Sequence, residues 1–326
     1  MRAVWYERPG PADEVIQVGE QPTPQPRPGE VRVRLHASGV NPSDCIRRRG
    51  GQPMDGPLII PNSDGAGIVD AVGEGVSADW LGKRAWLYNG QRGGRTLGTA
   101  AEWIALDQSL VTALPDDVSF EAGACLGIPC MTAWCAVFAD GPVTGKTVLV
   151  TGGAGAVGNY AVQLAAWGGA QVITTASGAK AEDARQAGAH LVLDHRTDDL
   201  RARIAEATAG RGVDHVAEVD FGGNLPLLPD IIANNGTLVA YASRGAEQPA
   251  FPFYALMRRN VGIRLFVLNT VDLRLRRSAQ QQITEWLTAA PRFHRIAATF
   301  PLERTAAAHN AVEAGGKRGT VVVTIR

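Results

Sequence analysis

From residue 147 onward, short apolar runs alternate with longer amphipathic stretches. Val148-Leu149-Val150 leads through a glycine-rich turn into Asn159-Tyr160-Ala161-Val162-Gln163-Leu164-Ala165, which has helical character. Residues 171–176, 191–193, 213–217 and 236–241 form further β-prone runs, each preceded by a stretch suited to a helix. Strand and helix in strict alternation predict an α/β fold with a doubly wound parallel sheet. The N-terminal third reads differently. Val31-Arg32-Val33-Arg34-Leu35-His36 alternates apolar and polar residues with period two, after a Pro- and Gly-rich turn at 22–29, and predicts a half-exposed antiparallel strand. More short strands are expected at 66–72 and 84–88, a helix at 273–287 and a last β-branched strand at 321–325. The pattern therefore predicts a β-rich unit over 1–122, a nucleotide-binding domain over 123–268 and a C-terminal segment, 269–326, that returns to complete the first unit. Residues 122–139 carry no charge, but Gly123, Gly127, Pro129 and Thr132 interrupt them, so a buried, kinked helix is expected rather than a membrane span.

Composition narrows the function. A chain of 326 residues suits two domains, each able to bury a core. Its formal net charge is zero, which argues against nucleic acid or an anionic membrane as the main partner. The start of the chain lacks the apolar run of a secretory signal, so a cytoplasmic location is expected. Cys45, Cys125, Cys130 and Cys135 form no C-x-x-C pair and read as small buried thiols; with six scattered histidines they predict no metal site.

The turn after 148–150 carries the chemistry. Gly153, Gly155 and Gly158 are spaced G-x-G-x-x-G: one for the tight turn, one for close approach of backbone to a pyrophosphate, one for helix–strand packing. With Ala156 and Val157 they open a helix whose first amides have no partner inside it, which suits an anion. Dinucleotide binding is thus expected. An NAD site usually places Asp or Glu about 20 residues after the glycines to bind the ribose 2′-hydroxyl. Here the segment reads Ala176-Ser177-Gly178-Ala179-Lys180, with no carboxylate before Glu182. Ser177 and Lys180 suit a 2′-phosphate, with His195 and Arg196 closing the pocket from the third strand, so NADPH is the expected cofactor.

The stretches Gly39-Val40-Asn41-Pro42-Ser43-Asp44, Ile60-Pro61-Asn62-Ser63-Asp64-Gly65-Ala66-Gly67, Leu126-Gly127-Ile128-Pro129-Cys130-Met131-Thr132-Ala133-Trp134, the glycine turn and His309-Asn310-Ala311-Val312-Glu313 run nearly from end to end. As an ordered set they resemble the zinc-free medium-chain dehydrogenases/reductases, in particular the NADPH:quinone oxidoreductases similar to zeta-crystallin. The resemblance implies a GroES-like catalytic domain, an inserted Rossmann domain and a cleft between them for the nicotinamide and a small quinone substrate. It also implies no zinc, because zinc-dependent relatives carry Cys at Asn41 and His at Ser63. It assigns Asn41 and Thr132 to the nicotinamide end, and Tyr241, Ser243 and a strand Phe266-Val267-Leu268 to holding the cofactor. Thr132 as a helix-interior residue and Phe266 as a core aromatic are the alternatives. Lys317 either reaches the nucleotide or is an ordinary surface lysine. Ile46 stands where relatives often carry Tyr, implying a more apolar acceptor pocket, while Arg48 is expected to steer an anionic ligand and Cys130 to place a thiol near the nicotinamide. A homodimer is implied, paired by an edge near 264–268. The competing readings are an enone, alkenal or enoyl-thioester reductase, and a non-catalytic crystallin-like or RNA-binding protein.

Overall fold

The computed structural model describes residues 1–289 and 292–326. The chain divides into two compact units, Met1–Ile128 with His294–Arg326, and Pro129–Phe293.

The first unit begins with a two-stranded antiparallel ribbon, β1 (Arg2–Trp5) and β2 (Gln17–Glu20). Its main sheet is organised by the long strand β3 (Glu30–Val40), which pairs antiparallel with β4 (Asp64–Val72) and β6 (Trp103–Asp107); β4 continues to β5 (Arg84–Leu87) and β5 to β7 (Val111–Ala113). The period-two pattern at 31–36 explains the placement: Val31, Val33 and Leu35 are buried in the core, while the arginines between them face outward. Gly67 lies opposite Leu35, where a β-carbon would stand 2.0 Å from the Arg34 carbonyl oxygen, so only glycine permits this register.

The second unit is an α/β layer structure. Strands β8 (Thr147–Val150), β9 (Gln171–Thr175), β10 (Leu191–Leu193), β11 (Val213–Glu218), β12 (Ile232–Ala240) and β13 (Gly262–Leu265) form one parallel sheet in the order β10-β9-β8-β11-β12-β13. The order reverses between β8 and β11, the switch point where such sheets bind ligands at the carboxyl ends of their strands. The first unit is completed by β14 (Ile296–Pro301) and β15 (Thr320–Thr324), the latter antiparallel to β3 with Val321 opposite Val40.

Three expectations differ from the structure. The break after the nucleotide unit falls at Phe293 and not at 268, because the helix Leu273–Ala289 buries Ala279, Ile283, Trp286 and Leu287 within the second unit, with Trp286 edge-on to Tyr160 at 6.0 Å. Residues 266–268 are not a strand: β13 ends at Leu265, and Leu268 opens a short 3-10 turn. The uncharged stretch 122–139 is two helices, Phe120–Gly123 and Met131–Phe138, separated by an irregular turn at Leu126–Cys130 where Gly127 has ψ −116°. Among the described residues no helix is long and apolar enough to cross a membrane.

Trp286 is 1 % exposed and anchors the helix that sequence pattern alone assigned elsewhere. Trp286→Ala is expected to cost about 3–5 kcal/mol, read as a lower urea midpoint. A variant with the parent's midpoint would refute this packing role.

Candidate dinucleotide and substrate site

The glycine turn joins β8 to the helix Ala156–Trp167. Gly152 takes φ +70°, and a β-carbon at Gly158 would stand 2.2 Å from the Gly152 carbonyl oxygen, so the helix meets the turn at a distance that excludes any side chain. Gly155 is the N-cap and offers no side chain to the helix end; the amides of Ala156, Val157 and Gly158 point out of it uncapped. Those donors and the positive end of the helix dipole suit a diphosphate. The neighbouring Glu218, at the end of β11, is buried. Its Oε1 accepts from Thr151 Oγ1 at 2.9 Å and Asn224 Nδ2 at 2.8 Å. Burial pushes this carboxyl up, and its Oε2 and the Tyr241 hydroxyl have no hydrogen-bond partner among the described residues. Ser243 Oγ accepts from Gly222 N–H at 2.9 Å and donates to the Ala246 carbonyl, so it shapes its own loop. Phe266 stands 6.5 Å from the Tyr241 ring, Val267 is exposed and Leu268 is buried.

At the ends of β9 and β10, Ser177, His195 and Arg196 are joined by Asp194, a residue that reading along a single strand missed. Leu193 is level with Thr175, which brings Asp194 beside Ser177. Ser177 Oγ donates to Asp194 Oδ1 at 2.6 Å, Gly178 N–H donates to Oδ2 at 3.2 Å, and Arg196 N–H donates to Oδ1 at 3.0 Å. His195 Nδ1 lies 3.0 Å from Ser177 Oγ. Lys180 opens the following helix, Lys180–Gln186. The Ser177 bond, then the backbone donors, hold Asp194 below the usual carboxylate range.

In the first unit, buried polar side chains cluster where β3 meets the helix Pro42–Arg48. Asn41 Nδ2 donates to Asp64 Oδ2 at 2.7 Å. Asp44, also buried, accepts from the Asn41 backbone N–H at 2.8 Å, from Ser63 Oγ at 2.9 Å and from Arg92 Nη2 at 2.8 Å. Asp64 is fully buried, its Oδ1 has no hydrogen-bond partner among the described residues, and a β-carbon at Gly127 would stand 2.2 Å from that oxygen. Burial first, then the Asp44 charge, push the Asp64 carboxyl up to about 8 against the pull of Asn41, the Ile128 N–H and Arg92. Arg48, expected to steer an anionic ligand, is wholly buried: its Nη2 is 2.6 Å from Glu313 Oε1, and it also donates to the Gly10 carbonyl. His309 is buried beside it, its Nε2 2.9 Å from Asn62 Oδ1, and burial lowers it to about 4. Ile46 is exposed, Thr132 and Cys130 are buried, and Lys317 Nζ bonds the Gly319 carbonyl at 2.8 Å.

Residues 27–116 match the family model for the alcohol dehydrogenase GroES-like domain and residues 156–288 that for zinc-binding dehydrogenases. Human quinone oxidoreductase is 30 % identical over 100 % of this chain and 98 % of its own length. The chain belongs to the zinc-free quinone oxidoreductase family of medium-chain dehydrogenases/reductases. A mycobacterial protein solved in complex with NADPH superposes with a TM-score of 0.84 at 29 % identity, covering 99 % of this chain and 100 % of that one. A polyketide synthase subunit of Mycobacterium tuberculosis is 28 % identical over 98 % of this chain and 14 % of its own length.

In this member of the quinone oxidoreductase family, Asn41 bridges two buried carboxylates, donating its backbone N–H to Asp44 and its Nδ2 to Asp64, while Ser63 Oγ donates to Asp44. Among the described residues no His, Cys, Asp or Glu group is arranged to hold a metal. All four cysteines are buried, and burial raises Cys45 to about 12, far from a reactive thiolate. Asp64 and Glu218 escaped sequence reading because their signal is burial, which one sequence does not display.

The raised Asp64 carboxyl has a consequence for stability. The unfolded group releases its proton near pH 4 and the folded one near 8, so folding stability falls as pH rises between those values and levels off above them. Asp64→Asn is expected to flatten that fall, read from thermal midpoints at pH 5 to 8.5. Parallel curves for parent and variant would refute the assignment.

Proposed function

We propose that the protein oxidises NADPH and reduces quinones. The observation that carries this reading is the uncapped helix start at Gly155 to Gly158, which the Gly152–Gly158 contact keeps clear of side chains. Its amides would hold the pyrophosphate, with Lys180 beside the adenosine ribose. Bound NADPH supplies a hydride. The chain's own residues bind and orient the nucleotide and keep water from it; a quinone is electrophilic enough to need no strong general acid. We assign Asn41, held by Asp64, and Thr132 to the nicotinamide. Tyr241 and Phe266 pack against the cofactor, and exposed Ile46 offers an apolar surface to the acceptor. Enone or enoyl-thioester reduction is the second reading, supported by the whole-chain likeness to a segment of a polyketide synthase subunit.

Initial rates of NADPH oxidation with a planar ortho-quinone and with a small enone test the choice. Faster turnover of the quinone is expected, and preference for the enone would transfer the protein to the second reading. Lys180→Ala is expected to weaken NADPH about tenfold, the scale of one charge-assisted contact, with NADH little changed. Equal losses for both nucleotides would remove Lys180 from the phosphate.

We also propose a homodimer through β13. All four of its residues are exposed at the sheet edge, and Phe253, Tyr254, Met257, Leu265 and Val267 expose apolar surface on the same stretch of chain. Sedimentation is expected to give a dimer for the parent and a monomer for Leu265→Asp; a monomeric parent at micromolar concentration would refute it.

A further inference from the structure

Resting on the nucleotide reading above, the geometry points to Asp194 as the residue that sets the choice between NADPH and NADH, by accepting from the ribose 2′-hydroxyl of NADH and competing with the 2′-phosphate of NADPH for the same donors. A ribose at the end of β9 meets Ser177, Gly178 and Lys180, the segment between that strand and the following helix. Two of those three are already engaged by one carboxylate: Ser177 Oγ at 2.6 Å and Gly178 N–H at 3.2 Å.

Proton accounting sharpens the point. An ionised carboxylate only accepts, so the single hydroxyl proton of Ser177 is spent on Asp194, and the contact at 3.0 Å must be donated by His195 Nδ1–H. Donation therefore runs from His195 through Ser177 to Asp194, and Ser177 offers a phosphate no proton in this arrangement. A phosphate dianion placed there meets the charge of Asp194, whose Oδ1 and Oδ2 already hold Ser177 Oγ and the Gly178 N–H. A 2′-hydroxyl is a donor and can add to the carboxylate without displacing anything. Asp194 thus does from β10 what an acidic residue at the end of the second strand does in an NAD site. The carboxylate also shapes its loop through the Arg196 N–H, and the Asp194 backbone carbonyl accepts from Thr197 and Asp198. A test must separate these two roles.

Asp194→Asn keeps an oxygen for the Arg196 N–H but removes the charge, whereas Asp194→Ala removes both. Dissociation constants for NADPH and NADH, read from nucleotide fluorescence, are compared for the parent and both variants. Asp194→Asn is expected to tighten NADPH about tenfold, equivalent to about 1.4 kcal/mol, and to weaken NADH modestly, so that the ratio of the two constants moves toward NADPH. Asp194→Ala is expected to move the ratio in the same direction even where its melting point falls. An unchanged ratio in Asp194→Asn, or equal loss of both nucleotides in both variants, would reduce Asp194 to a loop residue and overturn the inference while leaving the nucleotide site intact. A parent that binds neither nucleotide would overturn the proposed function together with it.

Discussion

The contact between the Gly152 carbonyl and the backbone at Gly158 governs the second unit. It brings the helix 156–167 so close to the end of β8 that no side chain fits between them, and it leaves the helix amides facing the switch point of the sheet. Gly153 adds a second close approach, since its β-carbon would stand 2.1 Å from Thr174 Oγ1 on the neighbouring strand. Anion affinity here comes from backbone geometry, with the surrounding side chains left to decide which anion is taken.

The first unit solves a different problem. It buries Asp44 and Asp64 together, and among the described residues only Arg92 forms an ion pair with Asp44. Two ionised carboxylates in so dry a place would repel strongly. The structure answers by satisfying Asp44 with Asn41, Ser63 and Arg92 and by leaving Asp64 protonated over much of the neutral range. Asn41 is thereby fixed by a partner that is itself sensitive to pH. Arg48, at the end of the helix Pro42–Arg48, pairs with Glu313, and His309 bonds Asn62, a second network that ties the returning C-terminal segment to the N-terminal one.

Much of this architecture was legible in the chain. The period-two run at 31–36 lies within β3, and the glycine spacing lies where a strand meets a helix, because in both places local pattern and tertiary burial agree. The helix 273–289 was visible as a helix, but its allegiance was not, since that depends on Trp286 meeting Tyr160 across more than a hundred residues of chain. Arg48 was expected to steer an anionic ligand; its pairing with Glu313 was not legible, because only the fold brings Glu313 to it. Asp194 was hidden because its partner, Ser177, follows the adjacent strand β9, and register between strands cannot be read from either strand alone.

The pairing of β15 with β3 bears on how the molecule is made. Val321 lies opposite Val40, so the first unit closes only after the chain has been made through Thr324. The second unit is one continuous segment, 129–293, and can fold while the last strands are still being synthesised. Loop closure over so long a separation is entropically slow, and a prefolded insert shortens the effective loop that must be closed. Connectivity thus sets an order of completion: the nucleotide-binding half is whole in sequence before the sheet that flanks it can close.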